Sequence, residues 1–535
     1  MVLNRVLSIR ISGKKKKESI RRLFLDLAHF KNLWIILIKR YKELYGYYPT
    51  DQSILYGLIA DKNYSSKKEK KLKRFKEVKE SILKDEKLKD VLTSLKEQKR
   101  KVDNNYLLQQ VIREIIKSFK SYRKAYKEYV WVPDKFKGIP KPPKAKKLKF
   151  LMNFSVELNT SVFKQINESI LIRLRIKKKE FLKIKLPEGF SYEIKSIRLK
   201  LFGTDIYADV VYKIKVLDEN RAGEYIASID LGLNNLVALI STNPEFRSFL
   251  VSGKEIKSFN QWFNKEKSKL QSEIDTLKNR ISQTKDKEET KSLKQLLTEK
   301  LIKFKELSAY RKRRLNNDFH KIARKIIELL KATNHKKLYI GKGATESKNG
   351  INIGKKNNQH FVSIPFRRFI ELIKYKAEEA GIEVVEKDEA FTSKTSPLAD
   401  IFEVRKTGEK YLQAKKREDK ELVKKLSIKL KKLTQAERGY KKCRGLVKDK
   451  ISNKLFNADL VGSYNIARVG ENSPRLIKDL KLLFIKLCNP VKYKLIDFLY
   501  KVSPESLLIG IRSSSSLLSR VDSSDYQRCN NLTIF

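Results

Sequence analysis

The chain has 535 residues, with 120 Lys+Arg against 62 Asp+Glu, a formal charge of +58. The length suits roughly three domains, and a positive surplus of this size, spread over most of the chain, points to a long polyanion such as nucleic acid rather than one small anionic ligand. No 18-residue apolar run suggests a membrane span, and Cys443, Cys488 and Cys529 are too far apart for a disulfide framework or a paired-cysteine zinc site.

Residues 1 to 13 alternate like a strand and end at Gly13. Lys14 to Lys17 follow too soon for a secretory leader, so a cytoplasmic, nucleoid-associated protein is expected. Leu23, Phe24, Leu27, Phe30, Trp34, Leu37, Ile38 and Tyr41 then recur at helical steps and define one apolar face. Gly46 and Pro49 stop that helix, and Thr50 or Asp51 can cap the next. Residues 66 to 101, dominated by Lys and Glu, read as a solvated helix or hairpin. From 105 to 129 an amphipathic pattern returns, and Lys117, Lys120, Arg123 and Lys124 lie among tyrosines, a mixture suited to phosphate contacts and base stacking. Pro133, Pro140, Pro142 and Pro143 mark an extended linker carrying Lys137 and Lys141. Strands follow, in which Ile172/Leu174/Ile176, Leu182/Ile184/Leu186 and Ile197/Leu199/Leu201 alternate with Lys and Arg. A half-buried antiparallel sheet or barrel with a cationic exterior is expected.

The stretch from Tyr225 to Ile240 reads as a buried hairpin, with Asp230 where its first strand ends. Phe246 to Val251 can add a third strand. Residues 255 to 332 are helical, with Arg311, Arg313 and Arg314 before an apolar stripe. A short strand at 337–340, a helix opened by Pro365 and a strand at 382–385 give an α/β order with a mixed sheet. Residues 403 to 440 form a Lys-rich helical segment, and Asn457 to Arg468 read as a loop running into a helix. From 476 to 499 the tail is ambiguous, helical in part and broken at Pro490, and Ser513 to Ser516 suggest a loose end.

Four stretches, in this order, resemble the TnpB (OrfB-type) family of transposon-encoded RNA-guided DNA endonucleases, relatives of type V CRISPR effectors. They are Ile229-Asp230-Leu231-Gly232-Leu233-Asn234-Asn235-Leu236; Asn357-Asn358-Gln359 through Pro365-Phe366; Tyr375-Lys376-Ala377-Glu378 running into Phe391-Thr392-Ser393-Lys394; and Asn457-Ala458-Asp459 with Gly462-Ser463-Tyr464-Asn465-Ile466. The resemblance implies α/β, β-barrel and helical domains: a wedge-type β-barrel at 1–14 and 130–220, a helical recognition domain inserted at 15–129, and a split RNase H-like (RuvC) nuclease core at 221–402 and 441–470. Residues 403–440 would be a Lys-rich insertion in place of a zinc ribbon, and 471–535 a C-terminal extension. The implied partners are a guide RNA and a double-stranded DNA target, with base pairing supplying most of the specificity.

Hydrolysis of this kind uses two Mg²⁺ ions about 3.5–4 Å apart, held by converging carboxylates. By resemblance Asp230 is the first acid and Asp459 the third, although an Asp at a helix start can also simply cap it. The family's middle acid falls at Gly341, which has no side chain to ligate with. Glu389, at the end of the neighbouring strand, is the preferred replacement, because adjacent strands lie only about 4.8 Å apart; Glu346 is the second choice. Asp388, one residue off, and Glu386, which shares its parity, would point to the other face. Lacking paired cysteines, the chain is expected to bind no zinc. The missing acid at Gly341 keeps open a nuclease-inactive, RNA-guided repressor, and composition alone allows a basic RNA-binding protein without guided cleavage.

Overall fold

The computed structural model describes residues 2–60, 69–148, 151, 153–215, 223–342, 364–438 and 445–508. The chain divides into two compact units, Met1–Val216 and Leu217–Phe535.

In the first unit β1 (Val2–Arg10) leads into five helices: α1 (Lys14–Tyr45), α2 (Gln52–Ile59), α3 (Glu69–Lys84), α4 (Glu86–Val102) and α5 (Asn105–Trp131). Gly46, in the left-handed conformation, closes α1 by donating its N–H to the Lys42 carbonyl. Asp51, rather than Thr50, caps α2, accepting from the Ser53 and Ile54 N–H groups. The expectation of a merely solvated face over 66–101 is corrected. Phe75, Val78 and Ile82 of α3 and Leu88, Leu92 and Leu95 of α4 form a buried seam at helical spacing beneath the Lys and Glu residues.

Strands β2 (Asn153–Leu158), β3 (Phe163–Ile166), β4 (Ser169–Arg175), β5 (Glu180–Lys185), β6 (Ile194–Phe202) and β7 (Asp205–Lys215) follow. They form two antiparallel sheets, of order β1-β7-β6-β2 and β3-β4-β5. Among the described residues the ladders remain open at β1 and β2, so the expected barrel resolves into two sheets around one apolar core. The cationic-face pattern also has an exception. A register irregularity between Arg173 and Arg175 turns Arg175 inward, where it pairs with Asp26 at 2.8 Å and Glu180 at 3.1 Å.

The second unit is built on a six-stranded sheet. Its strands are β8 (Tyr225–Asp230), β9 (Asn235–Ser241), β10 (Phe249–Ser252), β11 (His335–Gly341), β12 (Glu383–Lys387) and β16 (Val491–Tyr493), in the order β12-β11-β8-β9-β10-β16. Only β9 runs against the others, so five strands end at the same edge. Between β10 and β11 lies the helical hairpin α6 (Lys254–Gln283) and α7 (Lys287–Ala332), and α8 (Phe366–Glu379) precedes β12. Pro365 is the cap of α8 rather than its first residue. Leu315, Phe319, Ile322 and Ile326 of α7 pack with Phe369, Ile370 and Ile373 of α8 on one sheet face, against Ala227 and Ile229.

The Lys-rich segment forms a second helical hairpin, α9 (Ile401–Lys416) and α10 (Lys420–Thr434). It then continues into β13 (Ala436–Arg438), which pairs with β14 (Leu446–Asp449), itself paired with β15 (Leu455–Asn457). Helix α11 (Ala458–Glu471) crosses the other sheet face, where Leu460, Val461 and Tyr464 bury against Ala238, Ile240 and Leu250.

The tail was ambiguous in sequence because its apolar residues are few and interrupted. Here α12 (Leu480–Cys488) precedes β16, which adds to the sheet beside β10, and α13 (Leu495–Tyr500) docks Phe498 on Phe249. Pro490 is where helix gives way to strand. Lys486 pins α12 to the sheet: its buried ammonium donates to the carbonyls of Asn243 (2.7 Å) and Phe246 (2.5 Å). Burial lowers its pKa from the ordinary 10.5 to about 7. Between those values the folded state binds fewer protons than the unfolded one, so stability rises with pH. Urea unfolding is expected to show a gain of roughly 1–2 kcal/mol from pH 7 to pH 9, a gain that Lys486→Met abolishes.

Candidate active site

The site lies between the carboxyl edge of the six-stranded sheet and α11. Strand β8 alternates, with Ala227 and Ile229 facing the α7/α8 core and Ser228 facing α11; Asp230, two residues on, shares the face of Ser228. Two reciprocal bonds fasten strand to helix. The Ser228 hydroxyl donates to the Ser463 carbonyl at 2.6 Å, and the Ser463 hydroxyl donates to the Ser228 carbonyl at 2.7 Å. The approach is close enough that a Cβ at Gly462 would stand 2.7 Å from the Asp230 Oδ2.

Asn457 caps α11 by accepting from the N–H groups of Asp459 and Leu460, so the capping role considered for Asp459 belongs to its neighbour. The Asp459 side chain instead accepts a hydrogen bond from the Asn235 Nδ2 at 2.7 Å, which ties the start of α11 to the start of β9.

Gly341 ends β11, beside β12. A Cβ built on it would stand 2.3 Å from the Glu389 Oε2 and 2.9 Å from Ile466. The Glu389 carboxylate thus fills the volume that a side chain at 341 would need. Glu386 turns to the other side and pairs with Lys374 and, at 3.0 Å, with Arg367. Asp388 pairs with Arg405 at 2.9 Å. Glu346 lies outside the described residues.

Asp230 feels both of the other acids. Its pKa is raised well above the ordinary carboxylate value by burial, then by the charges of Glu389 and Asp459, against smaller lowering by Arg438 and the Leu231 N–H. Among the described residues no three His, Cys, Asp or Glu side chains are gathered around a single ion position. Asp230 nevertheless lies close enough to Glu389 and Asp459 for their charges to act on it.

Sequence reasoning overlooked the residues that hold this arrangement. Arg405 on α9 donates to the carbonyls of Asp388 (3.1 Å) and Ala390 (3.0 Å) on either side of Glu389. Asn465 donates to the carbonyls of Thr392 and Thr395, and Arg468 bonds Asn465 and the Ala399 carbonyl. Arg438, on β13, donates to the Ser393 hydroxyl. Asn235, Ser463 and Asn465 stood in motifs that carried the resemblance; Arg405 and Arg438 look like any other cation of a Lys-rich stretch.

Of the cations expected on nucleic acid, Lys117, Lys120, Arg123 and Lys124 lie exposed along α5, and Lys137 and Lys141 are exposed in the linker after it. Lys117 and Lys120 line a cavity of about 430 Å³ with Arg113 and Asp51. Arg311 is engaged internally, donating to Asn260 at 2.8 Å and lying 4.8 Å over the Phe263 ring. Arg313 is half-buried, and Arg314 lies exposed over Phe259 at 4.2 Å.

Residues 209–346 match the family described as a probable transposase of the OrfB type, and residues 366–466 match the TNB domain of Cas12f1-like proteins. Over these stretches the chain is similar to OrfB-type, TnpB-like and Cas12f1-like proteins. A curated relative, the TnpB-like protein ORF457 of Acidianus two-tailed virus, is 28% identical over 181 residues, 34% of this chain and 35% of that protein. The chain therefore aligns with about a third of that relative's length. Among solved structures, a Cas12f1–sgRNA–target DNA complex aligns with 85% of this chain and 83% of its own at 14% identity and a TM-score of 0.42. A CRISPR–Cas12f ternary complex aligns with 85% of each chain at 15% identity and a TM-score of 0.30.

The match to the TNB domain gives the expected absence of zinc no support. The segment 366–466 that matches the TNB domain nevertheless contains one cysteine, Cys443, and no histidine, a donor set that does not fit a tetrahedral zinc site. Cys443 itself lies outside the described residues. Among the described residues no helix is long and apolar enough to cross a membrane.

A raised Asp230 pKa means that ionising this side chain costs the folded state stability as pH rises toward neutrality without a cation. Asp230→Asn is expected to stabilise the protein in EDTA by roughly 1–2 kcal/mol, a melting shift of about 2–4 °C. Added Mg²⁺ should raise the melting temperature of the unsubstituted protein and leave the variant nearly unmoved, as followed by calorimetry.

Proposed function

We propose that this protein is a transposon-associated, RNA-guided DNA endonuclease that hydrolyses phosphodiester bonds at an RNase H-like (RuvC) site formed by Asp230, Glu389 and Asp459. The reading rests above all on the Glu389 carboxylate filling the empty volume at Gly341, close enough to Asp230 for their charges to interact. The match of residues 209–346 to the OrfB-type family supports it, as does the sheet topology, an antiparallel β8-β9-β10 meander flanked by parallel β11 and β12.

Asp230, Glu389 and Asp459 would hold the Mg²⁺ ions, which when bound activate water and stabilise the leaving oxygen. This chain's own contribution is to assemble the ligands. The Asn235 amide aims the Asp459 carboxylate, the Leu231 N–H and Arg438 offset part of the Asp230 charge, and Arg405 fixes the turn carrying Glu389. The exposed cations of α5 and the following linker would bind guide RNA and duplex DNA through their phosphates. On this reading, 1–14 with 130–220 and the inserted 15–129 serve as wedge and recognition domains, and base pairing with the guide selects the target.

The ribonucleoprotein with a matched duplex and Mg²⁺ is expected to cut, and Asp230→Ala or Glu389→Ala to cut on the order of 100-fold less while still binding. Gly341→Ala, which crowds the Glu389 carboxylate, should also impair cutting, and Gly341→Glu combined with Glu389→Gly should recover part of it. Guided binding with no cutting by the unsubstituted protein would favour the repressor reading. Co-purification of mixed RNA with no dominant species would favour a general RNA-binding protein.

A further inference from the structure

The same sheet edge carries a second feature that the acids do not use. Where β10 and β16 end, they meet the start of α6 and the middle of α7 around a cavity of about 880 Å³. Its wall is aromatic. Phe259 and Trp262 stack with ring centroids 5.6 Å apart, and Tyr310 meets Trp262 edge-on at 6.2 Å. Trp262 is 46% exposed and Tyr310 42%, although both sit in an otherwise well-packed unit. Lys254, Lys492, Lys494 and Arg314 line the rim.

One polar group in the lining is left over. Glu255 Oε1 accepts the Leu495 N–H at 3.2 Å, but its Oε2 is buried without a hydrogen bond. A buried carboxylate oxygen without a donor is costly, so a ligand that supplies an N–H fits here. Aromatic faces, four cations and one acceptor together describe a nucleotide. The base stacks on Trp262 and Tyr310, its phosphates face the lysines and Arg314, and an exocyclic or ring N–H reaches Glu255.

We propose that this cavity seats an unpaired nucleotide of a single-stranded nucleic acid. A paired base has its faces occupied by stacking and its N–H groups by its partner, so duplex cannot enter. The location gives the site a purpose. β10 lies two strand spacings from β8, about 10 Å, and the Gly253 N–H that follows β10 donates at 2.8 Å to Asn234, in the turn just after Asp230. A strand anchored here passes along the edge that carries the acids. The C-terminal segment supplies Lys492, Tyr493 and Lys494, which gives a part of the chain that the motifs do not reach a role in binding. The proposal does not require that the acids cleave anything.

Trp262 itself reports the test. Of the three tryptophans, Trp34 is fully buried and Trp131 is 85% exposed, so a Trp131→Phe background leaves Trp262 as the accessible fluorophore. In that background, with Asp230→Ala and EDTA to remove any cleavage, 12-nucleotide single-stranded RNA and DNA are titrated beside the corresponding duplexes. Quenching by single strands and not by duplex is expected; the stronger of the RNA and DNA arms identifies the source. Lys492→Ala with Lys494→Ala should lower the salt slope of that binding by about two. Tyr310→Ala should weaken it on the order of 5- to 100-fold, and Glu255→Gln should change the ranking of oligo-A, oligo-C and oligo-U. Unchanged Trp262 emission while an end-labelled oligonucleotide is seen to bind would overturn the proposal, as would equal quenching by duplex.

Discussion

The paired hydrogen bonds between Ser228 and Ser463 set the geometry on which the second unit depends. Each hydroxyl reaches the other residue's carbonyl, so the β8–α11 contact is fixed at both a strand position and a helix position. Two residues further along β8 comes Asp230, and four residues earlier on α11 comes Asp459. With that contact fixed, the two carboxylates have little freedom to part, and the absence of a side chain at Gly462 lets helix and strand approach so closely.

The close approach is electrostatically unfavourable, and the surrounding structure bears the load. Burial, and then the charges of Glu389 and Asp459, raise the Asp230 pKa, offset in part by Arg438 and the Leu231 N–H. Large apolar cores cover both faces of the sheet, and the turn carrying Glu389 is held by Arg405 and by the Asn465–Arg468 pair through backbone carbonyls. A buried carboxyl group whose pKa is shifted by specific charged neighbours is a candidate functional group.

The sequence made some of this legible and concealed the rest, for physical reasons. The β8–β9 hairpin stood out because a buried strand must be continuously apolar and its turn must be polar. Glycine at 341 raised the question of where the middle acid had gone, and strand spacing limited the places to look; the Glu389 carboxylate lies in the space beside Gly341, and its charge acts on Asp230. Strand β16 was hidden because three residues containing a lysine give no periodic signal, and only the neighbouring β10 makes them a strand. The seam of α3 and α4 was hidden by composition, since one apolar residue in three or four is enough to bury a helix among so many charges. Arg405 is distinguished from its basic neighbours only by what it touches.

The crowding at Gly341 also couples positions that are remote along the chain. A side chain at 341 would have to push aside the Glu389 carboxylate and the end of Ile466. A substitution at any one of the three is therefore felt by the other two, and none of them can be judged singly.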